Sequence, residues 1–512
     1  MIMQHHRPFS RYLCIMLVPV FVWMGIVISY HALIAGSTHR GYFSSADSAR
    51  AVATLQHAID KILDAKSLRA TKLGVSVVSL ENDKPMYIRN GNQQLTPAST
   101  TKLFSTFAAL HRFGAEHIVR TTVYADGAVS NGVLKGNVYL VGNGDALLTP
   151  GDIEQLALQI AGYGIKEIQG NIYGDGSAFD ALTERTQYSG DRDVVEALAP
   201  ISALTLARNT MTVTVTGGGG AKPTVSCYPM SSGVTFVVNA TVKKRSKGVS
   251  VTPKFSGSRV QFTVGGTIAR GGSVSRSFVV RHPELFSAGT LYSMLRSQGV
   301  RVSGSIDERK MPAGTRNAKI AEVGRPLADI VAHVNKRSDN FVAEHILKIA
   351  GCKNHKQSAS SGNNAREAIS YLSSVLASFD VPFSSCSIND GSGLSRRNAV
   401  TPNVLVRLLS VAAQSSFASA FSASLSFAGI DGTLEHRMRG TSAVGNVAAK
   451  TGTLRNVSAL AGYARTRDGE RMAFSLMFNG GNVHAYKAIE NRIAALLADF
   501  SYQSYSVGMA SR

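Results

Sequence analysis

The sequence predicts a mixed α/β chain of the α+β kind, in which helices pack on an antiparallel sheet and a large β-rich region interrupts them. Three observations predict it. Both ends of the chain carry the same mixture of hairpins and helices, at residues 49–114 and 325–500. The stretch from about residue 120 to 308 changes to short alternating strands with glycine-rich turns. At 512 residues the chain exceeds one ordinary core, and 44% hydrophobic with 17% charged residues is the balance of a folded chain rather than a disordered one.

The elements follow in order. Arg7 and Arg11 precede the apolar run "LCIMLVPVFVWMGIVI" and then small residues around Ala35 and Gly36, the layout of an export signal or an uncleaved membrane anchor over residues 1–40. Everything from about residue 41 is therefore expected outside the cytoplasm. Residues 49–68 have amphipathic helical spacing, and "KLGVSVVSL" with "KPMYIRNG" reads as a hairpin turning at Asn82 and Asp83. In "TPASTTKLFSTFAAL", Thr96 suits a helix N-cap and Pro97 a first helical position, with Gly114 closing the segment. Leu103, Phe104, Phe107, Ala108 and Leu110 recur at helical spacing, so one broad face should be buried. The β-rich stretch contains one helix near residues 150–163, and the glycines 217–220 suggest a subdivision near 210. Helices return in "PLADIVAHVNKRSDNFVAEHILKIA", "NAREAISYLSSVLASF" and "TPNVLVRLLSVAAQ". A hairpin turning at Asp468 and Gly469 and a last helix complete the chain. The economical arrangement is one domain built from 41–119 and 320–505, with 120–319 inserted between its halves.

The formal charge is +21, and its densest cluster is Lys243, Lys244, Arg245 and Lys247. No stacking aromatics accompany that cluster, so nucleic acid is not the expected partner; an anionic membrane or wall surface fits the charge, as does a simple solvated face. Beyond Cys14 only Cys227, Cys352 and Cys386 remain, too few and too dispersed for a zinc site. No metal or cofactor is expected. Cys352 follows one helical segment and Cys386 precedes "DGSGL", so in an oxidising compartment these two are expected to pair, leaving Cys227 free.

Ser99 and Lys102 lie one turn apart at the entrance of the apolar helix. Farther on come "SDN" at Ser338, Asp339 and Asn340, within a helical stretch, and "KTGT" from Lys450 to Thr453, opening a strand. Each pattern is weak alone. Together, in the order S-x-x-K, S-D-N, K-T-G, they resemble the set used by penicillin-binding proteins and serine β-lactamases.

The chemistry explains the residue types. As third residue of its helix, Ser99 would have an N–H without an intrahelical partner at the positive end of the dipole, suited to an oxyanion. Its hydroxyl needs a base, and Lys102 can serve only if burial and a neighbouring cation, here Lys450, depress its pKa. Ser338 can relay a proton to the leaving amine, and Asn340 can bond the substrate amide. Lys450 and Thr451 offer charge and a hydroxyl to a carboxylate, Gly452 would let a peptide approach the strand edge, and the Thr453 N–H would be the second oxyanion donor. The reaction class is acyl transfer through a serine ester.

The interval of 239 residues between Ser99 and Ser338 is far longer than a compact β-lactamase-like domain allows. With "VGNGDALLT", "APISALTLARN", "DGSGLSRRN" and "GIDGTLEHRM", it makes residues 50–500 resemble the DacB-like D-alanyl-D-alanine carboxypeptidase/endopeptidases, the S13 peptidases. The resemblance implies a transpeptidase-like fold, hydrolysis of D-Ala-D-Ala ends of peptidoglycan stem peptides and often of D-Ala-to-diaminopimelate cross-links, and covalent inhibition by β-lactams. Relatives commonly carry a tryptophan in the segment matching "ALTERTQYSGDRDVVEALAP"; this chain has none there. Asp193 is the candidate in that segment for meeting the diaminopimelate amine, against the reading of an ordinary loop aspartate. Two rival readings remain. A β-lactamase would need a deacylating carboxylate, for which Glu367 is the nearest candidate, and a non-catalytic envelope-binding protein would usually have lost Ser99 or Lys102.

Overall fold

The computed structural model describes residues 45–192, 195–257, 259–312, 318–352 and 362–503, which belong to one compact unit. The expected export segment and Asp193 lie outside the described residues. Among the described residues no helix is long and apolar enough to cross a membrane.

The two ends of the chain share one sheet. Strand Lys72–Ser79 pairs antiparallel with Arg471–Asn479 along its whole length, from Lys72 opposite Asn479 to Ser79 opposite Met472. The full order is Ser426–Phe427, Val447–Leu454, Val457–Arg465, Arg471–Asn479, Lys72–Ser79, Pro85–Arg89, antiparallel throughout. The hairpin turn falls at Asp83, where φ is +58°, a value aspartate tolerates better than most residues. Strand Lys72–Ser79 is buried on both faces, reading as a nearly continuous apolar run. Helices Ser45–Leu63 and Val483–Asp499 cover one face, with Leu55, Ile59, Ile493 and Leu497 packed on Val75, Leu460 and Phe474. Helix Pro402–Ala413, capped by the Thr401 side chain, also packs against this sheet.

Helix Lys102–Phe113 is buried on all sides from Lys102 to Leu110, beyond the single face that its spacing predicts. Its polar residues tolerate this because their hydroxyls are satisfied: Thr106 Oγ1 donates to the Lys102 carbonyl at 2.6 Å and Ser105 Oγ to that of Gly391 at 3.0 Å.

Between the halves the chain leaves along Ile118–Ala125 and returns along Ala318–Pro326, paired antiparallel as neighbours. Those strands belong to a five-stranded sheet with Val138–Gly142, Ile172–Asp175 and Ile306–Glu308, against which helices Pro150–Gly162 and Pro283–Ser297 pack. Residues 210–279 build two smaller sheets, one of three strands centred on Thr210–Thr216 and one of four centred on Arg259–Ala269.

Cys352 and Cys386 are not joined; both are free thiols, as is Cys227. The expected pairing fails because Cys352 is buried with its sulfur against the carbonyls of Ala178 and Lys348, both at 3.4 Å, and accepts from Asn364 Nδ2. Cys386 sits apart, closing the short turn Phe383–Ser385.

Candidate active site

The Ser99 segment starts differently from its sequence pattern. Thr96 is not a side-chain cap: its N–H donates to Asn479 Oδ1 at 2.8 Å and its carbonyl accepts from Asn479 Nδ2 at 3.1 Å, fastening it to the sheet. The chain then enters a tight turn, Ala98–Thr101, before the α-helix begins at Lys102. Ala98 has φ +49°, so the residue before Ser99 is held in the left-handed region that side chains disfavour. Two glycines press on this turn. A Cβ on Gly393 would lie 2.0 Å from the Ala98 carbonyl and 3.0 Å from the Ser99 nitrogen, and one on Gly452 would lie 2.6 Å from the Pro97 carbonyl. Gly452 thus makes room for the chain's own Ser99 turn, a different need from the one its place on the strand suggests. The same contact sets the Ser99 turn against the strand that carries Thr453, which is exposed.

Lys102 is fully buried and donates three hydrogen bonds: to Ser99 Oγ at 2.9 Å, to Asn340 Oδ1 at 2.7 Å and to the Ser392 carbonyl at 2.5 Å. Burial lowers its pKa from an ordinary lysine's 10.5 to about 8, although Asp390 and Glu344 pull the other way. Lys450, also fully buried, donates to Ser338 Oγ and to the Thr451 carbonyl, each at 2.9 Å. Burial and the charge of Lys102 hold it well below the usual lysine range. Thr451 Oγ1 donates to Thr433 Oγ1 at 2.9 Å, which brings the "GIDGTLEHRM" segment to the site.

"SDN" marks a break between two helices rather than the interior of one. Leu327–Arg337 ends at Ser338, with φ +58°, and Asn340–Ala350 starts with Asp339 as its N-cap, the carboxylate accepting from the Val342 N–H at 3.2 Å. The left-handed residue swings Ser338 toward Lys450 while Asn340 meets Lys102. Sequence spacing alone does not reveal the break, since apolar periodicity continues through it.

Five further residues around Lys102 and Asn340 have no role in the sequence reading: Glu344, Asp390, Arg185, Tyr188 and Glu196. Glu344 is fully buried and accepts from the N–H groups of Gly391 at 3.0 Å and Ser392 at 2.9 Å, fixing the loop whose carbonyl meets Lys102. Burial and the neighbouring Asp390 raise its pKa to about 7. Asp390, Arg185 and Tyr188 complete a buried network, Arg185 donating to Asp390 at 3.1 Å and Tyr188 to Glu344 at 3.0 Å. Glu196 accepts a hydrogen bond from Asn340 Nδ2. The signal for this network was "DGSGLSRRN", whose glycines and aspartate imply a tight loop. Glu367 lies in the first turn of Asn364–Ser378, an element that carries none of the three motifs. Among the described residues no cluster could hold a metal ion.

Strand Ser426–Phe427 pairs only with Ala448 and Ala449, so on that side the stretch from Lys450 to Leu454 has no strand neighbour among the described residues. The site therefore combines a half-buried serine beside a buried lysine, a second lysine on a hydroxyl, and a sheet edge with no strand neighbour among the described residues.

The chain matches the model of the D-Ala-D-Ala carboxypeptidase 3 (S13) family over residues 55–500. It is 32% identical over 462 residues to a D-alanyl-D-alanine carboxypeptidase of Actinomadura sp. (strain R39), covering 87% of this chain and 85% of that protein. It is 26% identical over 401 residues to the D-alanyl-D-alanine carboxypeptidase DacB of Haemophilus influenzae, covering 76% and 82%. The crystal structure of penicillin binding protein 4 (dacB) from H. influenzae has the same fold, with a TM-score of 0.66 at 23% identity over 85% of this chain and 99% of that one. That protein has also been solved with a β-lactam bound.

Proposed function

Because the chain belongs to the D-Ala-D-Ala carboxypeptidase 3 (S13) family, we propose that it removes the terminal D-alanine from peptidoglycan stem peptides through an acyl-serine intermediate, outside the cytoplasm. The observation that carries the reading is the 2.9 Å contact between Ser99 Oγ and a fully buried Lys102. Burial keeps a fraction of that lysine neutral near pH 7, so it can accept the hydroxyl proton as Ser99 Oγ attacks the carbonyl of the penultimate residue. The peptide adds along the edge from Lys450 to Leu454, which has no strand neighbour there among the described residues. Its terminal carboxylate meets Lys450 and Thr451, and the arriving anion draws a proton onto Lys450, whose charge burial otherwise disfavours. The N–H groups of Ser99 and Thr453 take the oxyanion. When the tetrahedral adduct collapses, the carbon–nitrogen bond breaks and Ser338 relays to the departing D-alanine amine the proton that Lys102 took from Ser99; water then hydrolyses the ester, one of its protons returning to Ser99 Oγ. Asn340 holds the substrate amide after leaving Glu196. We also assign the split domain to 41–119 and 320–505 around an insert at 120–319, and extend the activity to D-Ala-to-diaminopimelate cross-links.

The test is a synthetic stem peptide ending in D-Ala-D-Ala, with purified peptidoglycan as second substrate and products identified by mass. Release of one D-alanine by the wild type and none by Ser99→Ala is the expected result. Cleavage of cross-linked dimers supports the wider activity. Failure to cut either substrate overturns the proposal.

A further inference from the structure

Residues 210–282 contain ten lysines and arginines and no aspartate or glutamate, so 73 residues carry +10 of the net charge of +21. All ten side chains are exposed, and among the described residues none pairs with a carboxylate. Six of the ten are gathered at one end of the two small sheets. Lys243, Lys244, Arg245 and Lys247 follow one another there. Lys222 joins them because the Val242 N–H donates to the carbonyl of its neighbour Ala221 at 2.8 Å, and Arg270 because its N–H donates to the Lys243 carbonyl at 3.0 Å. The glycine turns at 217–220 and 271–272 complete this end. Self-repulsion among six unpaired cations costs stability, and nothing in the acyl-transfer site uses them.

The exposed large apolar residues of this region, Tyr228, Met230, Val237, Phe255 and Val279, lie outside these basic segments. A surface that enters a membrane wants an apolar wedge beside its cations, and one that binds single-stranded nucleic acid wants aromatic platforms; the basic end offers neither. Beside it, the outer face of the three-stranded sheet is a grid of hydroxyls. In register stand Thr224, Thr216 and Ser273, then Ser226, Thr214 and Ser275, with Thr212 and Ser277 opposite each other beyond them. The Thr214–Ser275 and Thr212–Ser277 pairs are hydrogen-bonded at 2.9 and 3.1 Å. Hydroxyls in rows beside a cluster of cations match a polymer that alternates polyol or sugar units with phosphate.

We infer that the basic end formed by Lys222, Lys243, Lys244, Arg245, Lys247 and Arg270 is a docking surface for a phosphodiester-linked anionic polymer of the cell wall. It would hold the enzyme beside its polymeric substrate and raise the local concentration of stem peptides. This rests on the proposed action in the wall.

The probe is fluorescein-labelled poly(glycerol phosphate), titrated by anisotropy into the wild type and into the quadruple variant Lys243→Gln, Lys244→Gln, Arg245→Gln, Lys247→Gln. Six phosphate contacts to a flexible polyanion imply a log–log salt slope near −4, so wild-type affinity should fall by roughly two orders of magnitude between 50 and 200 mM salt. The variant should show a slope near −1 and bind far more weakly at low salt, while its penicillin adduct at Ser99 forms as in the wild type, which establishes folding. Wild-type affinity in the variant, or no salt-dependent binding in the wild type, overturns the inference. So does binding more than about tenfold tighter to phosphatidylglycerol vesicles or to single-stranded DNA, each matched to the polymer in phosphate concentration. An adduct missing from the wild type would overturn the proposed function separately.

Discussion

Arg208 grips Asp339 with both terminal nitrogens, at 2.5 and 3.1 Å, and so ties the β-rich region to the residue between Ser338 and Asn340. The grip is reached from an unusual backbone: Ala207, Arg208 and Asn209 all have φ near +50 to +60°. Asn209 holds that turn by donating to the Pro200 carbonyl at 2.7 Å, and the Arg208 guanidinium lies 5.1 Å from the centre of the Phe341 ring. Burial alone would raise the Asp339 pKa, but the His333 and Arg208 hydrogen bonds and the Arg208 charge hold it well below the usual carboxylate range.

Arg208 should therefore act through Asp339. Arg208→Gln is expected to lower the acylation rate roughly tenfold, as for a lost coupling within one network, with KM nearly unchanged. Asp339→Asn keeps an N-cap of equal quality but loses the ion pair. In that background Arg208→Gln should add almost nothing. Equal losses in both backgrounds, measured by stopped-flow acylation, would contradict the coupling.

The base should show itself in the pH profile. In the proposed mechanism acylation needs neutral Lys102, so its rate should climb about tenfold per pH unit and level off above a limb near pH 8, instead of near an unburied lysine's 10.5. Glu344 stabilises the protonated lysine, so Glu344→Gln should move the limb to lower pH. A limb that stays in place would show that Glu344 only shapes the loop.

Lys450→Ala should remove about 2–5 kcal/mol of transition-state binding for a peptide with a terminal carboxylate, as when one partner of a desolvated charge pair is lost. The wild type should lose a comparable amount on the amidated peptide. Unchanged turnover of that peptide would assign Lys450 to tuning Lys102 alone.

Gly393→Ala places a methyl where the Ala98 carbonyl lies, at φ +84°. A loss of stability above about 2 kcal/mol and a distorted Ser99 turn are expected. Wild-type acylation together with wild-type thermal stability would refute this packing argument.

The legible part of this protein was what short patterns encode. The residues of the three motifs do meet, Ser99 and Asn340 on Lys102 and Ser338 on Lys450, while the hairpin at Asp83 follows from its turn residues and the helix from Pro402 from its apolar pattern. What stayed hidden was set by tertiary contact. Thr96 looked like a cap until Asn479 claimed its backbone. The helix break at Ser338 lay under unbroken apolar periodicity. Arg185, Tyr188 and Arg208 stand more than 100 residues from Asp390, Glu344 and Asp339, and no local signal links those pairs. Cys352 and Cys386 were paired by their order in the chain, whereas the packing around Cys352 decides otherwise.

Intact-mass analysis after brief exposure to penicillin tests the serine ester at Ser99 most directly. A β-lactam presents a strained acyl group where the peptide carbonyl sits, and its carboxylate can occupy the Lys450 and Thr451 position. One added drug mass is expected, mapped to the peptide containing Ser99, persisting for minutes or longer, absent from Ser99→Ala and formed about 10²–10⁴-fold more slowly in Lys102→Ala. An adduct on another serine, no adduct at all, or rapid clearance with turnover of the drug would contradict it.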